Sequence, residues 1–183
     1  MKKGYRKIEE VIDRLLPAQI AAVADLYENG GGLLPEEDWE KANKYYKMSA
    51  KMGDAYAQTV IANAYATGID VERDDELALF WYKQSAEQGN PFAQYEVAMR
   101  VPDEEGALLW LHASAKQGFA TAMKELSDRL RIADPKISQK WLRRYYRKRN
   151  KCKIQNINGK NYIKQIRKMR MPKVINGEVV IKI

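Results

Sequence analysis

SAKMGDAYAQ (residues 49–58), SAEQGNPFAQ (85–94) and SAKQGFATAM (114–123) are three near-copies of one segment, spaced 36 and 29 residues apart. Self-similarity at such a period is the signature of a repeat architecture, in which each unit is one supersecondary element. The match extends upstream, where Ala42, Ala78 and Ala107 each stand three residues before an aromatic: Tyr45, Trp81 and Trp110. Downstream, Tyr65 and Gly68 follow the first copy and echo the earlier Tyr27 and Gly30, so a partial copy precedes the first full one.

Each recurring position has a physical task. The Ala, aromatic and Ser-Ala positions fall at intervals of three, four, seven and eight, which is one face of a helix. That face is core. Gly53, Gly89 and Gly118 follow it, where a left-handed C-cap favours a residue without Cβ. Asp54 and Asn90 come next and can cap the free amides of a second helix, with Pro91 at its first position. Ala57, Ala93 and Ala122, four residues past each glycine, let the second helix cross the first closely. The product is a helix A, a short turn and a helix B, repeated. One such pair cannot hide its apolar faces, so neighbouring pairs must stack.

The pattern resembles the Sel1-like repeat family, a relative of the tetratricopeptide repeats, over about residues 18–130. The resemblance implies an all-α fold, a right-handed solenoid of antiparallel helix pairs, and the role of an interaction scaffold. In this reading the solenoid occupies residues 1–150, with repeats at about 5–36, 37–73, 74–102 and 103–134 and a capping helix at 135–150. Tyr5, Ile8, Val11, Ile12, Leu15 and Leu16 form a stripe that reads as helix A of the first, degenerate repeat, and Pro17 opens its helix B. The second copy is shorter, because Arg100-Val-Pro-Asp replaces the stretch holding Tyr65, Gly68 and Ile69. Its helix B must be shorter too. Asp134 caps the last helix, which carries Trp141 at the aromatic position but Tyr145 and Tyr146 where Ser-Ala belongs.

Residues 151–183 form a basic C-terminal extension. Pro135 to Ile183 holds sixteen Lys and Arg against one acid, Glu178, whereas the preceding 134 residues hold sixteen bases and twenty-three acids. The net charge of +8 therefore conceals an acidic body and a cationic tail. Ile157–Gly159 and Ile175–Gly177 are Ile-Asn-Gly sequences, and Asn-Gly is the strongest short hairpin signal. A β-hairpin is expected, with strands favoured for 174–183. The segment 151–170 stays open between strand and a short amphipathic helix over 161–169.

Little in the chain suggests chemistry. His112 is the only histidine and Cys152 the only cysteine, so a catalytic triad, a His-rich metal site and an internal disulfide all lack residues. The acidic clusters 36–38, 74–76 and 103–105 fall at helix starts, where capping and the helix dipole account for them. Gly30-Gly31-Gly32 lacks the Lys-Ser/Thr of a phosphate loop and reads as linker. The expectation is a chain that is not an enzyme, with no cofactor, no metal, no membrane and no small-molecule substrate. The opening MKKGYRKIEEVID places acids where a secretion signal needs an apolar run, and one thiol fits a reducing compartment, so a cytoplasmic location is expected.

Repeat register points to a recognition surface. Phe80 and Leu109 share a stripe with Lys83 and His112, away from the core, and Lys44 and Lys47 occupy the same register in the first copy. By resemblance to tetratricopeptide solenoids, helix A lines the concave face, so these six residues would bind a protein or peptide partner. A competing reading has the N-terminal segment or the tail fold over the stripe. The expected function is a protein–protein interaction module acting as adaptor, regulator or toxin-neutralising partner. The alternative is a nucleic-acid-binding protein in which Arg143, Arg144, Arg147, Lys148 and Arg149 neutralise phosphates and Tyr145 or Tyr146 stacks on bases. Against that stands a plainer reading, in which Trp141, Leu142, Tyr145 and Tyr146 pack on the last repeat and the cations are solvated. The tail's charge could also meet an acidic protein or the acidic repeat body.

Overall fold

The computed structural model describes residues 5–29, 38–151, 173–175 and 178–182. Among these, eight α-helices follow one another: α1 (Pro17–Glu28), α2 (Trp39–Lys51), α3 (Ala55–Thr67), α4 (Asp75–Glu87), α5 (Pro91–Arg100), α6 (Glu104–Lys116), α7 (Ala120–Ala133) and α8 (Pro135–Lys151).

The glycine turns join α2 to α3, α4 to α5 and α6 to α7. Gly53, Gly89 and Gly118 have φ of 94°, 91° and 92°, the left-handed region that an L side chain resists. Two hydrogen bonds close each turn. The amides of Asp54, Asn90 and Phe119 donate to the carbonyls of Ser49, Ser85 and Ser114 at 3.1, 3.2 and 3.2 Å. Those of Gly53, Gly89 and Gly118 donate to Ala50, Ala86 and Ala115 at 3.0, 2.9 and 3.0 Å. This is the Schellman closure, which satisfies carbonyls that a helix end otherwise leaves open.

Helix starts are capped as the sequence implies. Asp38 accepts from the Lys41 amide, Asp74 from Glu76 and Leu77, Asp103 from Glu105 and Gly106, and Asp134 from Ile137. Asn90 accepts from Phe92 and Ala93, behind Pro91 at the first helical position. α5, ten residues long against thirteen in α3 and fourteen in α7, is the shortened helix B of the second copy.

The chain divides into two compact units, residues 1–61 with 158–183, and residues 62–157. In the second, Ala62, Ala78, Tyr82, Ala86, Ala93 and Val97 form one buried cluster, and Ala98, Ala107, Leu111, Ala115, Ala122, Met123, Leu126 and Trp141 form another. Each large side chain buried there contributes about 1.5–3 kcal/mol. The small residues at the crossings are wholly enclosed, and where Ala62 and Ala98 recur as Ser127, its partner Ser138 donates to the Ser127 carbonyl at 2.8 Å. A polar pair thus replaces an alanine contact without leaving a buried hydroxyl unsatisfied. α8 joins the second of these clusters through Trp141.

The first unit departs from expectation. Tyr5–Lys7 is not the start of a helix but a strand, β1, followed by 3-10 turns at Ile8–Glu10 and Ile12–Arg14. It pairs antiparallel with β3 (Glu178–Lys182), matching Tyr5 to Lys182, and β3 pairs with β2 (Lys173–Ile175), matching Ile175 to Glu178. The order is β1-β3-β2. Ile8, Val11 and Leu15 are buried as the stripe required, but Leu16 is 53% exposed. Apolar spacing placed the right side chains inside. It could not reveal that backbone partners for residues 5–7 lie at the far end of the chain. The C-terminal strands β2 and β3 group with the unit that contains the N-terminus. The Ile157–Gly159 signal, the strand-or-helix question over 151–170 and Cys152 lie outside the described residues.

Candidate interaction surface

Helices α4 and α6 present equivalent faces. Leu79 and Leu108 turn inward, half-buried against the two clusters. One residue on, Phe80 is 50% exposed and Leu109 68% exposed. The Phe80 ring meets its neighbour Trp81 edge-on, with centroids 5.1 Å apart. Lys83 and His112, one turn further, are exposed in turn. Leu77, a turn before Phe80 and 40% exposed, extends the apolar strip. Register could not single it out, because Lys41 and Gly106 occupy its place in the other copies.

His112 has a second association. Its ring stands perpendicular to that of Trp141, with centroids 5.5 Å apart, and the Arg144 guanidinium lies over the other ring system's face at 5.0 Å from the Trp141 centroid. The row of α6 therefore continues onto α8. Lys44 and Lys47, in the other unit, are exposed on α2, with the Lys44 ammonium 5.8 Å from the Tyr45 ring.

On α8 the candidate cations separate by role. Arg143 and Arg147 are exposed, Arg144 covers Trp141, and the half-buried Lys148 donates to the Gly118 carbonyl, where the helix dipole favours positive charge. The side chain of Arg149 lies outside the described residues. Arg144, Arg147 and Lys148 line an open cleft of about 290 Å³ with Lys116, Ala115 and Met123. Of the two aromatics expected to stack on bases, Tyr145 packs on the core, leaving Tyr146 half-exposed and edge-on to Tyr145, while Trp141 is only 4% exposed.

Among the described residues no three His, Cys, Asp or Glu side chains come together in a way that could hold a metal ion. No described helix is long and apolar enough to cross a membrane.

The sequence matches the Sel1 repeat over residues 20–54, 55–90 and 91–119, more than half of the chain. The protein belongs to the Sel1 repeat family. Each matched window begins in or at a helix B and closes at the next glycine turn, the same period cut at a different point. Sel1 repeats mediate protein interactions, and the fold is a scaffold. A Sel1 repeat protein from Oxalobacter formigenes superposes with a TM-score of 0.61 at 29% identity, covering 66% of this chain and 95% of that one. A protective antigen of uropathogenic Escherichia coli with an SLR fold gives 0.63 at 28%, covering 70% of this chain and 30% of the antigen. No curated protein sequence matches significantly.

Polar contacts inside the Sel1 repeats were not legible beforehand. Ser49 and Ser114, fully buried, donate to the Pro17 and Pro91 carbonyls at 2.7 and 2.6 Å, tying each helix A to the preceding helix B. Gln58 and Gln94 donate to the Ala50 and Ala86 carbonyls at 3.2 and 3.1 Å. In the first unit the Tyr46 hydroxyl lies 2.5 Å from both Asp25 Oδ1 and Glu28 Oε2, and Tyr56 donates to Asp25 at 3.0 Å. Burial pushes the Asp25 carboxyl above its ordinary value, against the pull of those tyrosine hydrogen bonds, and raises Tyr46 and Tyr56.

Proposed function

We propose that this Sel1 repeat protein captures a segment of another protein along the exposed face of α4 and α6, through Phe80, Lys83, Leu109 and His112. The observation that carries the reading is the pair Phe80 and Leu109: large apolar side chains at one register of consecutive repeats, at least half exposed on helices whose other faces are packed. Single exposed apolar residues are ordinary, but a register-matched pair on successive helices A, with Lys83 one turn from Phe80, offers two anchors. Lys44 and Lys47 hold the same register on α2 and are proposed as partner contacts of the first unit taken by itself. Such a face serves an adaptor, a regulator or a neutralising partner alike.

Replacing Phe80 and Leu109 together by alanine tests this reading. Both are exposed enough that the loss of stability should stay within about 1 kcal/mol, while affinity capture of the partner from extracts of the native host should fail. A large drop in the thermal midpoint would show that the two residues support the fold, and unchanged capture would remove them from the interface.

A further inference from the structure

The exposed face of the helix A series changes chemistry along the chain. α4 carries Phe80 and Lys83, α6 carries Leu109 and His112, and the equivalent positions of α8 are Lys140 and Arg143. All six are exposed. α8 has eight Lys and Arg and no acid. The acids of neighbouring α7 are already engaged, Asp128 by Lys124 at 2.7 Å and Glu125 by Arg129 at 2.8 Å. Among the described residues, Lys116 and Arg147 have no carboxylate partner.

These two cations border the open cleft of about 290 Å³ at the end of α6. Its floor is Ala115 and Met123, both buried. Met123 stands where Gln58 and Gln94 stand in the earlier repeats, so the side-chain hydrogen bond to the helix end is absent here. Lys148 is engaged with the Gly118 carbonyl, and Arg144 lies over Trp141. The cleft thus combines an apolar floor with a cationic rim lacking counter-charge of its own.

We propose that this cleft takes an acidic peptide segment of the protein partner, with carboxylates on Lys116, Arg144 and Arg147 and an adjoining apolar residue on the Phe80 and Leu109 strip. The inference rests on the protein-capture reading and names the chemistry of what is captured. A glutamate side chain brings a carboxylate to this rim, where it meets the guanidinium and ammonium groups directly. Nucleic acid fits less well, because ring faces for base stacking are scarce: Trp141 is buried and Tyr145 is packed.

The test uses the full chain and a fluorescein-labelled peptide, two leucines followed by six glutamates, read by anisotropy at about 0.1 M salt. The glutamate peptide should bind, and its glutamine analogue should bind at least about tenfold more weakly. Lys116→Glu with Arg147→Glu should weaken binding roughly tenfold, whereas Arg131→Glu with Lys136→Glu, an equal change in net charge outside the cleft, should leave it within about twofold. Unchanged far-UV circular dichroism is expected for both variants, whose side chains are exposed. Absence of binding, equal losses in the two variants, or tighter cleft-dependent binding of an oligothymidylate would each overturn the proposal. Capture of the native partner separates the two readings. Loss with Phe80→Ala and Leu109→Ala but full retention with Lys116→Glu and Arg147→Glu would leave the interaction face standing and remove the acidic segment.

Discussion

Alanine at Gly89 and at Gly118 should differ, although the two backbones are nearly identical. Both glycines have φ near 90°, 91° and 92° respectively. A Cβ in that region costs about 1–2 kcal/mol, and the smaller entropy of the unfolded alanine chain returns about 0.4–1 kcal/mol. Gly89→Ala meets no atom within 4 Å, so it should lose about 1 kcal/mol, or about 2–4 °C in thermal midpoint for a chain of this size. At Gly118 the added Cβ would stand 2.7 Å from the Lys148 ammonium. That ammonium must move and surrender its hydrogen bond to the Gly118 carbonyl, a contact of a cation with a helix end that contributes about 0.3–1 kcal/mol. Gly118→Ala should therefore lose about 1.5–2 kcal/mol. Thermal melts followed by circular dichroism at 222 nm measure both, and a repeat in a Lys148→Met background isolates the difference. There the two substitutions should converge. A neutral or stabilising Gly89→Ala would refute the left-handed cap, and an unchanged gap in the Lys148→Met background would refute the contact between α8 and the turn.

Two further outcomes follow from polar contacts. Gln94→Leu removes a donor to Ala86 and the acceptor of the Gln117 side chain, 3.1 and 2.9 Å contacts, so a loss of about 2 kcal/mol in urea denaturation is expected; no loss would mean these bonds contribute nothing net. Burial raises the Asp25 carboxyl, so the fold favours its protonated form. That stability is present below the ordinary value of 3.8 and is lost as pH rises through the raised one. Asp38 and Asp75, lowered by Lys41 and Arg73, act in the opposite direction. Asp25→Asn should therefore become relatively more stable than the parent as pH rises from about 3 to 7, as measured by melts across that range. A constant difference would exonerate the carboxylate.

The candidate face was legible as far as register carries. Equivalent positions in three copies show which residues lie opposite the core, and Phe80, Lys83, Leu109 and His112 are all exposed. Register could not show that His112 meets Trp141, nor that Lys116, four residues beyond His112, joins Arg144 and Arg147 around one cleft. Such contacts depend on how one helix lies against the next. Nor did aromatic spacing rank the pairs: Tyr46, Tyr82 and Leu111 are the deeper members, at 2%, 2% and 0% exposure, while Trp81 and Trp110 remain half-buried.

Within the three full repeats, helix boundaries, glycine turns and Asp or Asn caps were determined by the sequence alone, because each is chemistry between residues within about five positions of one another. The three-stranded sheet was decided only by the tertiary structure. Tyr5–Lys7 finds its backbone partners at Val180–Lys182, a pairing across nearly the whole chain, and no local pattern records which distant strand a backbone will meet.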